Sequence, residues 1–219
     1  MNPKLPPDFR AISPRLSWVK WTTYLTMGFC NIYFIMQILW TGVFQRYLIT
    51  TPSVQKLYPY VYVGHSLLMP VTIIVFIISF ISFMTWIYHA ALNARALGAK
   101  DMPIPPLRAA LWKLIPIINL WIPFAALRDI WKASINPKNW RDAKIQAVFY
   151  VYWISSILYF TAIAIITMII FNIDEFVSYL PIMVIIQLIL MNISFLTSVQ
   201  VAKAITRAQA DMHRTVAFD

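Results

Sequence analysis

Apolar residues in this chain collect into long unbroken runs rather than into the alternating or striped patterns of soluble strands and helices. The first, about residues 21–44, holds no charge and only mild polar members, Asn31, Gln37 and several threonines. Gln45 to Tyr60 reads as a polar loop punctuated by Pro52 and Pro59. A second run covers about 61–90, with Pro70 as an expected kink. Its helical pattern continues through HAALNARALG until Gly98 and Pro103 supply a stop. From Ser66 to Gly98 this gives about 50 Å of helix against about 30 Å of hydrocarbon. Runs at about 145–171 and 180–201, joined by the turn NIDEFVSY, complete the set, and the last also overruns through AKAITRAQADM. The pattern therefore predicts an all-α membrane protein, a bundle of four transmembrane helices.

Between the second and third runs lies PLRAALWKLIPIINLWIPFAALRDIWKAS, as apolar as a span but interrupted by Lys113, Pro116 and Pro123. Each proline removes a helix hydrogen bond, and lipid offers no replacement donor. Asn119, between the prolines, carries a side-chain amide that can serve one freed group. Residues 107–134 are thus expected to form a broken helix, interfacial or re-entrant on the cytoplasmic side. Residues 1–16 read as a cytoplasmic arm, 17–212 as one membrane domain and 213–219 as a tail.

Composition agrees with this pattern. Hydrophobic residues make up 60% of the 219 and charged ones 12%, where a soluble domain is about half apolar and a quarter charged. Of the 18 lysines and arginines, all but Arg46 and Lys56 fall on one side of the predicted spans. The positive-inside rule then places both termini in the cytoplasm. It also accounts for the net charge of +10 without a nucleic-acid partner. A single cysteine, Cys30, excludes an internal disulfide framework and any multi-cysteine metal centre.

An internal echo at a constant offset of 112 relates FMTWIYHAALNARA from Phe83 to FLTSVQVAKAITRA from Phe195. A parallel duplication and a chance likeness of two helix ends both explain it.

FMTWIYHAALNARALGA at residues 83–99, followed by LIPIINLWIPFAALRDIWKAS at 114–134, resembles a bacterial membrane family known only as domain of unknown function four-three-two-eight. The matching positions are Asn93, Leu97, Gly98, Pro116, Asn119, Leu120, Pro123, Asp129, Ile130, Trp131, Ala133 and Ser134. His89 stands where the family pattern more often has arginine. The resemblance implies a multi-pass protein of the bacterial inner membrane and carries no activity.

Chemistry-bearing residues are sparse. His65 and His89 lie on one predicted helix about 36 Å apart, so they cannot share a metal. His89 and His213 could meet at the cytoplasmic face, but no second shell or third ligand is evident. No cofactor, metal ligand or catalytic residue is assigned. All eight acids fall outside the span cores, whereas ion-coupled transporters generally place an ionisable group within the membrane. Asp129 is expected to form a surface pair with Lys132 at i+3. Trp112, Trp121, Trp131 and Trp140 suit an interfacial belt, with Trp121 and Trp131 as walls of a ligand groove in a sharper reading. Pro116, Asn119, Trp121, Pro123, Asp129 and Trp131 form that candidate groove. Ala90, Ala94 and Gly98 form a small-residue row, nearly matched by Ala202, Thr206 and Ala210, that lets two helices approach closely. The expectation is a non-catalytic subunit, scaffold or regulator, contacting lipids and a membrane-protein partner or a second copy. The alternative is a lipid or small-molecule binder or transporter built around Asn119.

Overall fold

Helices follow one another from Ser13 onwards, as a chain of apolar runs without strand-forming alternation dictates. The computed structural model describes residues 9–39, 51–115, 121–172 and 179–218. Its elements are α1 (Ser13–Leu39), α2 (Pro52–Ala96), α3 (Pro106–Leu111), α4 (Ile122–Ile135), α5 (Ala147–Asn172) and α6 (Leu180–Phe218). Single 3-10 turns occupy Trp112–Leu114 and Trp140–Asp142. No strand occurs among the described residues.

Three helices, α2, α5 and α6, are long and apolar enough to cross a membrane. The described part of α1 is not among them, because Asn31, Gln37 and three threonines dilute it. Residues 40–44 of the predicted first span lie outside the described residues.

The second helix is longer than its sequence suggested. It starts at Pro52, inside the stretch read as a loop, and runs 45 residues, about 67 Å. Pro52 suits a helix start, since a first-turn residue has no intrahelical N–H bond to lose. Pro59 lies within the helix without ending it. No glycine, asparagine or aspartate stands between the two prolines to terminate the turn.

Its far end closes as the composition requires. Gly98 adopts φ 105°, a conformation L side chains rarely take. The Ala99 N–H donates to Ala94 O (3.2 Å) and the Gly98 N–H to Arg95 O (2.9 Å). This is a Schellman cap. Gly98 is exposed, and nothing lies within 4 Å of where its Cβ would be. It therefore does not belong to the packing row with Ala90 and Ala94. Its glycine answers to φ, not to close approach.

Within 107–134 the described residues form two separate helices, α3 and α4, with the turn Trp112–Leu114 after the first. Residues 116–120, and with them Pro116 and Asn119, lie outside the described residues. Trp121 is the N-cap of α4 and Pro123 stands in its first turn.

Two compact units make up the chain. The first comprises Met1–Trp21, Ser79–Trp153 and Leu196–Asp219. Its core joins Trp86, Ile87, Ala90 and Ala94 of α2 to Leu127 and Ile130 of α4, Phe149 of α5, and Val201, Ala202 and Ile205 of α6. The second comprises Thr22–Ile78 and Ile154–Phe195. Cys30, Tyr159 and Met191 form its main buried cluster. Interhelical amides supplement apolar contact there. Asn31 and Asn192 donate to each other's Oδ1 (3.2 and 2.8 Å), and His65 Nε2–H donates to Gln37 Oε1 (2.6 Å). Such bonds matter in apolar surroundings, where dispersion alone distinguishes helix from lipid contact.

Candidate functional site

Of the residues singled out in the broken segment, the described ones differ in burial. Trp121 is half exposed. Pro123 is buried, as are Asp129 and Trp131. Trp131 donates Nε1–H to Lys144 O (3.1 Å), and its ring packs against Phe149. Trp140, also buried, donates to Lys100 O (2.9 Å). These two indoles are pegs that fix chain connections onto the core, not members of an exposed interfacial belt. Their N–H groups find carbonyls because burial without a partner would cost about 1–3 kcal/mol each.

Asp129 is not a surface residue and does not pair with Lys132. It is 3% exposed and lies on the inward face of α4. The neighbouring Arg128 Nε–H donates to Asp129 Oδ1 (2.9 Å). Lys132 instead donates to Arg141 O (2.9 Å). Sequence spacing favoured the i+3 partner, but burial of one face turned the carboxylate away from it.

Lys113, which would be costly in hydrocarbon, is sheltered by aromatic rings. Its ammonium lies 4.1 Å from the Phe83 ring centroid and donates to Tyr152 Oη (2.9 Å). Phe80 stands further off, at 5.9 Å. Ring quadrupoles and the phenol oxygen take the place of water around the charge.

The densest polar arrangement lies where the small rows of α2 and α6 meet. Asn93 and Gln209 are 1% and 0% exposed, and Ser134 of α4 is fully buried beside them. Asn93 Nδ2 donates to Gln209 Oε1 (3.3 Å) and to Arg10 O (2.8 Å), while the Arg10 N–H donates to Asn93 Oδ1 (3.1 Å). Gln209 Nε2 donates to Ala90 O (2.8 Å) and to Ser134 Oγ (3.1 Å), and Ser134 Oγ–H donates to Ile130 O (2.7 Å). All four N–H hydrogens of the two amides are used, and both amide oxygens accept. Above them Trp86 Nε1–H donates to Thr206 Oγ1 (3.1 Å). Ala90 and Ala94, both 0% exposed, leave room for the Gln209 amide to reach a helix carbonyl. This circuit ties α2, α4, α6 and the arm before α1 together. Asn93 and Ser134 belong to the quoted motifs, but neither they, Gln209 nor Arg10 was assigned a site role from sequence. Gln209 lies on the face of Ala202 and Ile205 at helical spacing, which is the signal that could have found it.

Beside the circuit, Arg10, Tyr88, His89, Leu92, Asn93 and Arg95 line an open cleft of about 430 Å³. Next to Arg10 in the chain, Phe9 stacks on the His213 ring at 4.0 Å and holds the arm against α6. No group of three or more His, Cys, Asp or Glu suited to a metal occurs among the described residues.

No curated protein and no solved structure matches the chain. Residues 64–210, more than half of its length, match the family described as a domain of unknown function, DUF4328, and the chain belongs to that family.

Proposed function

We propose that this protein is a non-catalytic, four-span inner-membrane protein with both termini cytoplasmic, serving as a subunit or scaffold of a membrane assembly. The observation that carries the subunit reading is the bareness of α2. Only 6% of its most apolar window is buried, against 22% for α5 and 33% for α6. Leu67, Val71, Ile74 and Ile78 recur there at four-three-four spacing and are all exposed. That spacing is the one at which helices pair side by side. A neighbouring helix, from another protein or a second copy, has a continuous stripe to pack on. The internal circuit supports the same reading, since it engages the buried amides of the first unit in holding the chain to itself.

Charge supports the orientation. Lys4 and Arg46 lie outside the described residues, and Lys56 belongs to the second unit. Every other lysine and arginine falls within the first. A basic unit of that kind belongs on the cytoplasmic side. Compartment reporters fused at residue 50 and at the C-terminus should report opposite sides. Agreement between them would remove the four-span topology.

The partner is tested by placing a photo-crosslinking residue at Ile74 or Ile78 in intact membranes and purifying the tagged protein in mild detergent. A discrete crosslinked adduct, absent with the residue placed at Lys138, is the expected result. Only lipid adducts at both stripe positions would sink the subunit reading.

A further inference from the structure

We propose that the cleft between the arm and the end of α2 binds a phosphate group. The proposal goes beyond the subunit reading and does not depend on it. Two arginines line the cleft, Arg10 held through its backbone and Arg95 through its guanidinium, by contacts that neutralise neither. Asn93 grips the backbone of Arg10 from both sides, through Oδ1 and Nδ2, so the Arg10 side chain is presented from a fixed point. Arg95 uses Nη2 to donate to Met102 O and Ile104 O, both at 3.1 Å, which anchors its plane. Its Nε and Nη1 hydrogens, and the whole Arg10 guanidinium, are not engaged by any described residue.

Among the described residues, no acid lines the cleft to compete. Among the described residues, the carboxylates in ion pairs are Asp129 with Arg128 and Asp211 with Arg214. His89 and Tyr88 also line the cleft. Planar guanidinium forks match phosphate oxygens in pairs, which a lone lysine cannot do. Two arginines, with a histidine and a tyrosine beside them, around about 430 Å³ give the cleft the composition of an anion site. Leu92 and Ala96 give it one apolar wall, against which a glycerol or a nucleoside could rest. The phosphate can therefore arrive on an anionic phospholipid or on a soluble molecule.

The test is thermal unfolding of the full-length protein in maltoside detergent at fixed ionic strength. Short-chain phosphatidylglycerol, the same-chain phosphatidylcholine and inorganic phosphate are titrated separately. Phosphatidylglycerol or inorganic phosphate should raise Tm saturably, while phosphatidylcholine has a weaker effect. Arg10→Gln should weaken half-saturation about tenfold, and Arg10→Lys should restore part of it. The Arg10 side chain makes no hydrogen bond or ion pair with a described residue, so unliganded Arg10→Gln should melt with the native protein. Stabilisation by phosphatidylglycerol that inorganic phosphate competes away identifies a lipid source. Stabilisation by inorganic phosphate without a response to phosphatidylglycerol identifies a soluble one. Equal response to both lipids with no effect of Arg10→Gln, or no response to any ligand, would overturn the proposal.

Discussion

Asn93→Leu should be among the most damaging single substitutions in the protein, lowering unfolding free energy in detergent by about 2–5 kcal/mol. Leucine has asparagine's count of side-chain heavy atoms and its branch point, so cavity formation is a minor part of the effect. The loss comes from partners left behind. Gln209, 0% exposed, would keep its two donor bonds but lose the hydrogen on Oε1. An orphaned buried acceptor of this kind costs about 1–3 kcal/mol. The Arg10 N–H and C=O would also lose their partner, though near the surface water can replace it in part. Detachment of the arm adds the cost of exposing Ile12, which is 3% exposed in the fold.

A double-mutant cycle separates this account from simple misfit. Gln209→Leu alone leaves Asn93 short of one acceptor and Ser134 of one donor. With both residues changed to leucine, no amide remains buried without its mate. The double variant should therefore lose less than the sum of the two singles, by about 0.5–3 kcal/mol. Strict additivity in denaturant titrations would show that the two amides do not act as one circuit.

Much of the architecture was legible because it rests on one-dimensional signals. Apolar runs longer than about 18 residues announced α2, α5 and α6, and two prolines with a lysine announced the break between α3 and α4. Gly98 was read as a stop, and its φ of 105° is the reason. What stayed hidden depends on which faces meet. Asp129 has Arg128 and Lys132 within reach along the chain, and nothing local says that one face of α4 is buried. Trp131 and Trp140 have the composition of interfacial residues until Lys144 and Lys100 carbonyls are found waiting inside. Asn93 and Gln209 are separated by 116 positions, and each on its own reads as a polar residue at a solvated helix end. The start of α2 was misplaced for a different reason. Pro52 and Pro59 together resemble a loop, whereas proline in a first turn is helix-compatible and one further proline removes a single bond.

The small-residue row makes the second large prediction. Ala94→Leu should destabilise the protein by about 3 kcal/mol, the upper end for overfilling a packed interior. Ala94 is 0% exposed, and its neighbours Ala90, Ala91 and Asn93 are at most 1% exposed, so three added carbons have no space. Relief by helix separation would draw Ala90 away from Gln209, whose amide sits 2.8 Å from its carbonyl. Packing and hydrogen bonding would then fail together. Helix propensity cannot account for such a loss, because leucine forms helix nearly as well as alanine. Ala94→Gly supplies the opposite control. It weakens the helix by about 1 kcal/mol through propensity while adding no bulk. Leu92→Ala, at a half-buried position on the cleft wall, should cost about 1 kcal/mol. The order Ala94→Leu, then the other two, read from unfolding midpoints in mixed micelles, is the expected result. An Ala94→Leu midpoint equal to that of the native protein would mean that α2 and α6 do not approach through this row.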